Sequence, residues 1–514
     1  MKTKLLTAAA LTALASGLSA QTLNVQMNAD LRDSHPGVNR DGNSDGIMVH
    51  VVEGLVGYTE QTEVVPMLAE TVDVSEDGTT FTFTLRDGVT FHNGKPLTSK
   101  EVLWSWNHYM DEATEWACAR DFDGSRNLEV TSVEAPDDKT IVMKTDTPSA
   151  VFLALMARPE CGQTGILHPA SVDADGNWVA PIGTGPFQWS EWRKGEFVDL
   201  VAFEDYAPLD GATEPDGLVG AKKPLVDKVR FMVIPDAAAV SAGLRSNAID
   251  VASISPDLLP EFKDDPNMAL YNVRNFGNNV MYFQIRDPLL EKVEIRRAIA
   301  EAIDFDQLVE IASHGVGVPN MSMISVDSAY YSDVQKKRRA YDPESAKKRL
   351  QDAGYNGERI SIIANKRGNV PSYASAIVAQ AMMQQVGLNA QIDVLDYATQ
   401  TDRRRNGEGQ LLSVSIGPRF DPSLTYAFFI GDKDADKGKL WDDPKAMELM
   451  EKSFTTLDQA ERQKIFDEMH ELMLDQMPAV FMYNLVYSWV ATSEVEGKPV
   501  WQSFPRAWEV SKAE

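Results

Sequence analysis

Residues 360–416 read ISIIANKRGNVPSYASAIVAQAMMQQVGLNAQIDVLDYATQTDRRRNGEGQLLSVSI, and this stretch decides the fold. Ile360 to Ala364 is a short apolar strand. Ser372 to Val386 then reads as a helix, stopped by Gly387, and Gln391 to Leu395 as a second strand. A polar helix over Thr399 to Arg405 leads to a third strand, Leu411 to Ile416. Strand and helix alternating in this way imply parallel strands covered by helices, an α/β arrangement. Ligands in such sheets bind beyond the carboxyl ends of the strands. Two loops fall there by chain geometry alone: Asn365 to Asn369 and Gly417 to Pro422.

Upstream, Val293, Ile295, Ala298, Ile299, Ala302 and Ile303 recur at helical spacing, and Asp304 with Gln307 signals the start of a further helix. Asp342, Pro343 and Gly354 bracket another. The first half reads instead as strands and hairpins with few helices. Thr80 to Leu85 alternates with period two after a Ser75-Glu76-Asp77-Gly78 turn, and Thr140 to Met143 follows another turn. Phe187 to Trp192 and Phe197 to Phe203 flank Lys194-Gly195 as a hairpin.

The chain has 514 residues, enough for two to four domains, with 76 acidic against 49 basic side chains and a formal charge of −27. That balance argues against a nucleic-acid partner, since phosphate would meet like charge. There is no Gly-x-x-x-x-Gly-Lys-Ser/Thr loop, no Gly-x-Ser-x-Gly elbow and no His-Glu-x-x-His pair, which removes the commonest nucleotide-hydrolysing and exported-hydrolase readings. The seven histidines show no metal-ligand spacing, and no catalytic or metal-binding residue and no cofactor is expected. Asp41-Gly42-Asn43-Ser44-Asp45-Gly46 matches half of a calcium loop, but Val52 stands where the bidentate Glu belongs, so a solvated turn is the better reading. Trp104 and Trp106 with Trp189 and Trp192 read as core more than as a sugar-stacking surface.

Lys2 and Lys4 precede an apolar run from Leu5 to Ala15 and a small-residue stretch ending at Ala20, the order of a secretory leader cleaved after residue 20. No cysteine follows the run, so no lipid anchor is expected and the mature chain is expected to be periplasmic. Export implies an oxidising compartment, which favours a Cys118–Cys161 disulfide over two buried thiols.

The stretch Phe83-Thr84-Leu85-Arg86-Asp87-Gly88-Val89-Thr90-Phe91-His92-Asn93-Gly94-Lys95-Pro96-Leu97-Thr98 resembles the signature of the bacterial extracellular solute-binding proteins of family 5. These are receptors for dipeptides, oligopeptides and nickel complexes. Gly183-Thr184-Gly185-Pro186-Phe187, Arg296-Arg297-Ala298-Ile299-Ala300 and Gln476-Met477-Pro478-Ala479-Val480-Phe481 are similar to further blocks of that family. The resemblance implies a two-lobed periplasmic-binding-protein fold (type II, the large three-subdomain form) with a hinge and an interlobe cleft. Lobe I would hold residues 21–272 and 485–514, with a subdomain inserted at about 40–182, and lobe II residues 273–484. It further implies a monomer that closes on a small solute and delivers it to a membrane permease with its ATPase.

In dipeptide receptors of this family an arginine before a helix holds the peptide carboxylate. Arg367, followed by Pro371, aligns with it, and Asn369 takes the place of an aromatic two residues on. The loop that binds the peptide amine reads Gly417-Pro418-Arg419-Phe420-Asp421-Pro422 here, with proline at the amine-binding position and Asp421 kept. Two arginines, Arg367 and Arg419, predict an acidic or amine-blocked peptide-like solute, because guanidinium binds carboxylate bidentately. On the residues alone two other readings stay open: an exported carboxylate-dependent hydrolase or lyase, and an oligosaccharide receptor of the same family.

Overall fold

A computed structural model describes residues 21–366 and 371–513. Ten strands form one sheet: β1 (Thr22–Met27), β2 (Phe187–Arg193), β3 (Phe197–Ala202), β4 (Lys228–Val233), β5 (Val251–Ile254), β6 (Met268–Phe283), β7 (Arg359–Ala364), β8 (Asn389–Val394), β9 (Leu411–Ile416) and β10 (Ala479–Thr492). Their order across the sheet is β8-β7-β9-β6-β10-β5-β1-β4-β3-β2.

The deciding stretch folds as its pattern predicts. β7 pairs in parallel with β8, Ile362 opposite Ile392, and with β9, Ile362 opposite Leu411. Helix Ser372–Gln385 covers these strands by burying Ala376, Ala379 and Met383 in the same cluster as Ile360 and Ile362. It ends before Gly387, whose φ of +94° an L side chain rarely adopts. Asp396 caps helix Tyr397–Arg405 by accepting from the Thr399 amide at 2.9 Å. Asp304 and Asp342 likewise cap helices Phe305–Ala312 and Pro343–Asp352.

Strands β6 and β10 tie the two ends of the sheet together. They run antiparallel from Met268 opposite Thr492 to Tyr282 opposite Ala479, with a register irregularity between Arg274 and Asn278. At one end β10 also pairs with β5; at the other β6 pairs with β9. Both strands are therefore long because each serves two halves of the sheet. At the irregularity the backbones crowd: a Cβ on Gly277 would stand 2.5 Å from the Ile416 carbonyl. The same place holds buried amides. Asn484 accepts from Asn320 at 3.0 Å and from the Val326 amide at 3.1 Å, and donates to Asn278 at 3.2 Å.

The first half carries more helix than its sequence suggests, including Gly42–Val51, Ser99–Met110 and Ala237–Arg245. The Asp41–Gly46 segment is neither a calcium loop nor a solvated turn. Asp41 caps helix Gly42–Val51, accepting from the Asn43 and Ser44 amides at 3.0 Å, while Asp45 is buried against Arg40. A separate four-stranded antiparallel sheet combines Ala69–Val74, Thr80–Leu85, Thr140–Thr145 and Val130–Glu134. Nearby, Cys118 and Cys161 are joined by a disulfide with Cα atoms 5.6 Å apart. The four tryptophans do not make one stacking surface. Trp104 lies on His108, Trp106 is buried, and Trp192 donates its indole N–H to Asp30. No helix among the described residues is long and apolar enough to cross a membrane.

Candidate functional site

A cavity of about 800 Å³ lies against the middle of β10, between residues from the two halves of the sheet. One wall is built from the carboxyl end of β1 (Gln26, Met27) and the start of helix Gly42–Val51; the other holds Ser313, Val316 and Pro371. Its back is β10, from Tyr483 to Trp489. A volume of this size suits a small peptide-like molecule.

Two groups on this surface are chemically poised. Trp489 is 4 % exposed, and its indole N–H is buried without an acceptor. A buried donor left unmade costs about 1–3 kcal/mol, which a solute carbonyl offsets only if the ring turns to bring the N–H to the cavity surface. Asp41 is the one charged side chain on the wall among the described residues. Its Oδ1 is spent on the helix amides, whereas among the described residues Oδ2 has Arg32 as its one ion-pair partner, at 3.8 Å and largely exposed. That leaves one carboxylate oxygen able to meet a cation.

The sequence-predicted ligands divide. Arg367 and Asn369 lie outside the described residues, although Pro371, which follows that loop, is on the wall. Arg419 and Asp421 do not line the cavity. The reason is Phe420 between them, which turns inward against Tyr58 at 4.6 Å, Phe276 at 5.4 Å and Trp501 at 5.6 Å. With that residue fixed, Arg419 lies over Phe428, its guanidinium 4.1 Å from the ring centre. Burial, and then the nearby Arg158, pull the Arg419 pKa down to about 10. Asp421 caps helix Pro422–Phe429 through the Ser423 amide at 2.8 Å and pairs with Arg462 at 2.9 and 3.1 Å. Asp41 was legible in the sequence only as part of a false calcium loop, and nothing marked Trp489 within its long apolar strand.

Among the described residues, the one group of three potential metal ligands is Cys118, Asp121 and Cys161, and both of its sulfurs are in the disulfide. His35 and His108 meet through Nε2 atoms 3.0 Å apart, between the rings of Trp178 and Trp104. Burial, with His108 beside it, drives the His35 pKa down to about 3.

The family model described as bacterial extracellular solute-binding proteins, family 5 Middle, matches residues 63–437. The chain belongs to this family. Across 90 % of its length this family 5 protein is 27 % identical to the dipeptide-binding protein of Escherichia coli K12, covering 88 % of that protein. It is 22 % identical to the oligopeptide-binding protein OppA of Bacillus subtilis, over 93 % of this chain and 90 % of OppA. Among solved structures, the ABC transporter substrate-binding protein CtaP of Listeria monocytogenes superposes with a TM-score of 0.84 at 21 % identity, covering 96 % of this chain and all of that one. NikA of Brucella suis, solved with Fe(III)-EDTA, gives a TM-score of 0.82 at 20 % identity, covering 96 % and 99 %. These structural likenesses fix the two-lobed binding-protein fold.

Proposed function

We propose that this family 5 protein is the exported receptor of an ABC importer, capturing a small peptide-like solute between two lobes and presenting it to a membrane permease. The single observation that carries this reading is the 800 Å³ cavity, walled by β1 and helix Gly42–Val51 on one side and by Ser313, Val316 and Pro371 on the other. Lobe I is taken as residues 21–272 and 485–514 and lobe II as 273–484, so both boundaries fall within the crossing strands β6 and β10. A solute touching both lobes binds the closed arrangement better than the open one, and that difference in affinity is what drives closure.

The receptor returns its solute chemically unaltered, and it reaches the periplasm through a leader cleaved after Ala20. For the solute itself, the wall favours an ammonium-bearing peptide over the acidic or amine-blocked one that two arginines suggested. Arg419 is off the wall and Asp41 is on it, so the amine partner lost at Pro418 has a replacement from the opposite lobe. Arg367 is retained in this reading as the partner of the solute carboxylate. The test is to denature the purified protein, identify the released molecule by mass spectrometry, and titrate that compound back while following tryptophan fluorescence. Recovery of an intact peptide-like solute that quenches or shifts the tryptophan emission, with a smaller effect in Trp489→Phe, is expected. Turnover of that compound, or emission unchanged at saturation, would overturn the reading.

A further inference from the structure

In a chain with 76 acidic side chains against 49 basic ones, a cluster of cations without carboxylate partners calls for an explanation. Arg404, Arg419 and Lys439 form one. Among the described residues none of the three makes a salt bridge. Arg404 and Arg419 share one aromatic ring, their guanidinium carbons lying 5.2 and 4.1 Å from the centre of Phe428. The Lys439 ammonium donates to the Ala427 carbonyl, and Lys433, 5 % exposed, donates to the carbonyl of Lys439. Tyr282 stands beside them, 3 % exposed, with its hydroxyl buried and unpartnered.

The space between these groups is small but real. A cavity of about 20 Å³ is bordered by Tyr282, Arg404, Lys433 and Lys439. It adjoins a groove of about 510 Å³ that shares Lys433 and Lys437 with it. The acidic residue on the small cavity, Glu408, is turned to Arg403 at 2.5 Å. Twenty cubic ångströms admit one atom the size of a water oxygen, and the groove admits the rest of a larger ion. More positive charge faces the cluster from the inserted part of the first half. Burial and then Arg158 depress the pKa of Arg419 while Glu160 partly opposes them; burial depresses that of Lys439, with Asp436 opposing and Arg126 adding to it.

Arg404, Arg419 and Lys439 are half-buried around the buried Lys433, and like charges gathered this closely repel unless an anion shares the site; a buried hydroxyl without an acceptor adds a cost of its own. One oxyanion answers both. The geometry points to a binding site for an oxyanion made by Arg404, Lys439 and the Tyr282 hydroxyl, with Arg419 beside it on the Phe428 ring, separate from the 800 Å³ cavity. Lys433 supplies a fixed charge behind it. Guanidinium and ammonium groups suit carboxylate and phosphate alike, so the occupant is either inorganic phosphate or the carboxylate of an organic acid. Arg126 and Arg158 are themselves paired with Asp121, and Arg158 with Glu160 as well, so the anion's partners are the cations of the second half.

The test is calorimetric titration of the full mature chain, at constant ionic strength, with sodium phosphate and separately with sodium acetate. The wild type is compared with Arg404→Gln/Lys439→Gln and with Tyr282→Phe. One anion per chain is expected, with affinity lowered about tenfold or more in the double variant and several-fold in Tyr282→Phe. Binding of phosphate but not acetate assigns the site to inorganic phosphate; binding of both, with the same losses, assigns it to carboxylates as well. Dipeptide binding should be unchanged in Tyr282→Phe, which separates this site from the interlobe cavity. Should neither anion bind the wild type, or should both variants bind as well as the wild type does, the proposal falls. Tyr282→Phe removes a single hydroxyl, so it keeps the comparison available if the double variant does not fold.

Discussion

Replacing Asp421 tests whether the Asp421-Pro422 loop serves the solute or the fold. Its carboxylate pairs with Arg462 through two contacts at 2.9 and 3.1 Å, and the two side chains are 10 % and 5 % exposed. Both partners are thus nearly removed from water, and deleting one leaves a buried cation, a change that costs about 3–5 kcal/mol. Three other groups remain around Arg462: the Ser453 carbonyl at 3.0 Å, the Ser423 hydroxyl at 2.7 Å and the Tyr330 hydroxyl at 2.9 Å. They hold the loss near the lower end of that range. Asp421→Ala also removes the cap on helix Pro422–Phe429, worth about 1 kcal/mol. Asp421→Asn keeps the cap, because asparagine caps comparably, and so isolates the ion pair. The expected order of stability is therefore wild type, Asp421→Asn, Asp421→Ala, with about 1 kcal/mol between the variants. Urea unfolding followed by circular dichroism gives the stability differences, and calorimetry with a dipeptide gives affinity, expected to change less than about twofold. If Asp421→Asn unfolds within 0.5 kcal/mol of wild type (about the scatter of a neutral surface change) while losing solute affinity, Asp421 acts on the ligand and the assignment is wrong.

Asp41→Asn retains the helix cap but removes the charge from the cavity wall. A free-amine dipeptide should bind about tenfold more weakly to it, while the N-acetylated form is unaffected, as calorimetry with the matched pair would show. Reducing the Cys118–Cys161 disulfide frees a loop of sequence separation 43, and the chain-entropy estimate for that length is about 4 kcal/mol. Urea midpoints with and without dithiothreitol measure it, and no shift would show that the bond is absent in solution or that the loop is held by other contacts. Burial holds the pKa of His50 down to about 3 and that of His92 down to about 4. The unfolded chain takes up these protons near pH 6.5 and the folded chain does not. Stability is therefore full above pH 6.5 and falls as pH drops toward 4, by up to about 1.4 kcal/mol per unit per histidine. Melting curves between pH 7 and 5 should show the decline, and His92→Gln should flatten it.

Much of the architecture is written locally. The βαβαβ run is legible because Ile360, Ile362 and Leu412 must face helices while Gly387 and Asp396 punctuate the turns, and each signal acts within a few residues. The same holds for the caps at Asp304 and Asp342. Helix Gly42–Val51 was missed for the opposite reason. Its buried positions include Ser44, Asp45, Gly46 and His50, so no apolar stripe marks it, and the second nitrogen of His50 is met from the far end of the chain, by the Ala507 amide that donates to it. The length of β6 and β10 is likewise set by partners on both sides.

The amino-acid sequence by itself determined the family, the α/β class and which loops lie at the carboxyl ends of the parallel strands, because these depend on short-range patterns of polarity and turn chemistry. Only the tertiary structure decided which way those loops turn their side chains. Phe420 finds Tyr58 and Trp501 across the interface between the halves, and that packing, set by residues far away in the sequence, moves Arg419 off the cavity and gives Asp421 to Arg462. A side chain's neighbours in space fix its role, and here those neighbours come from both ends of the chain.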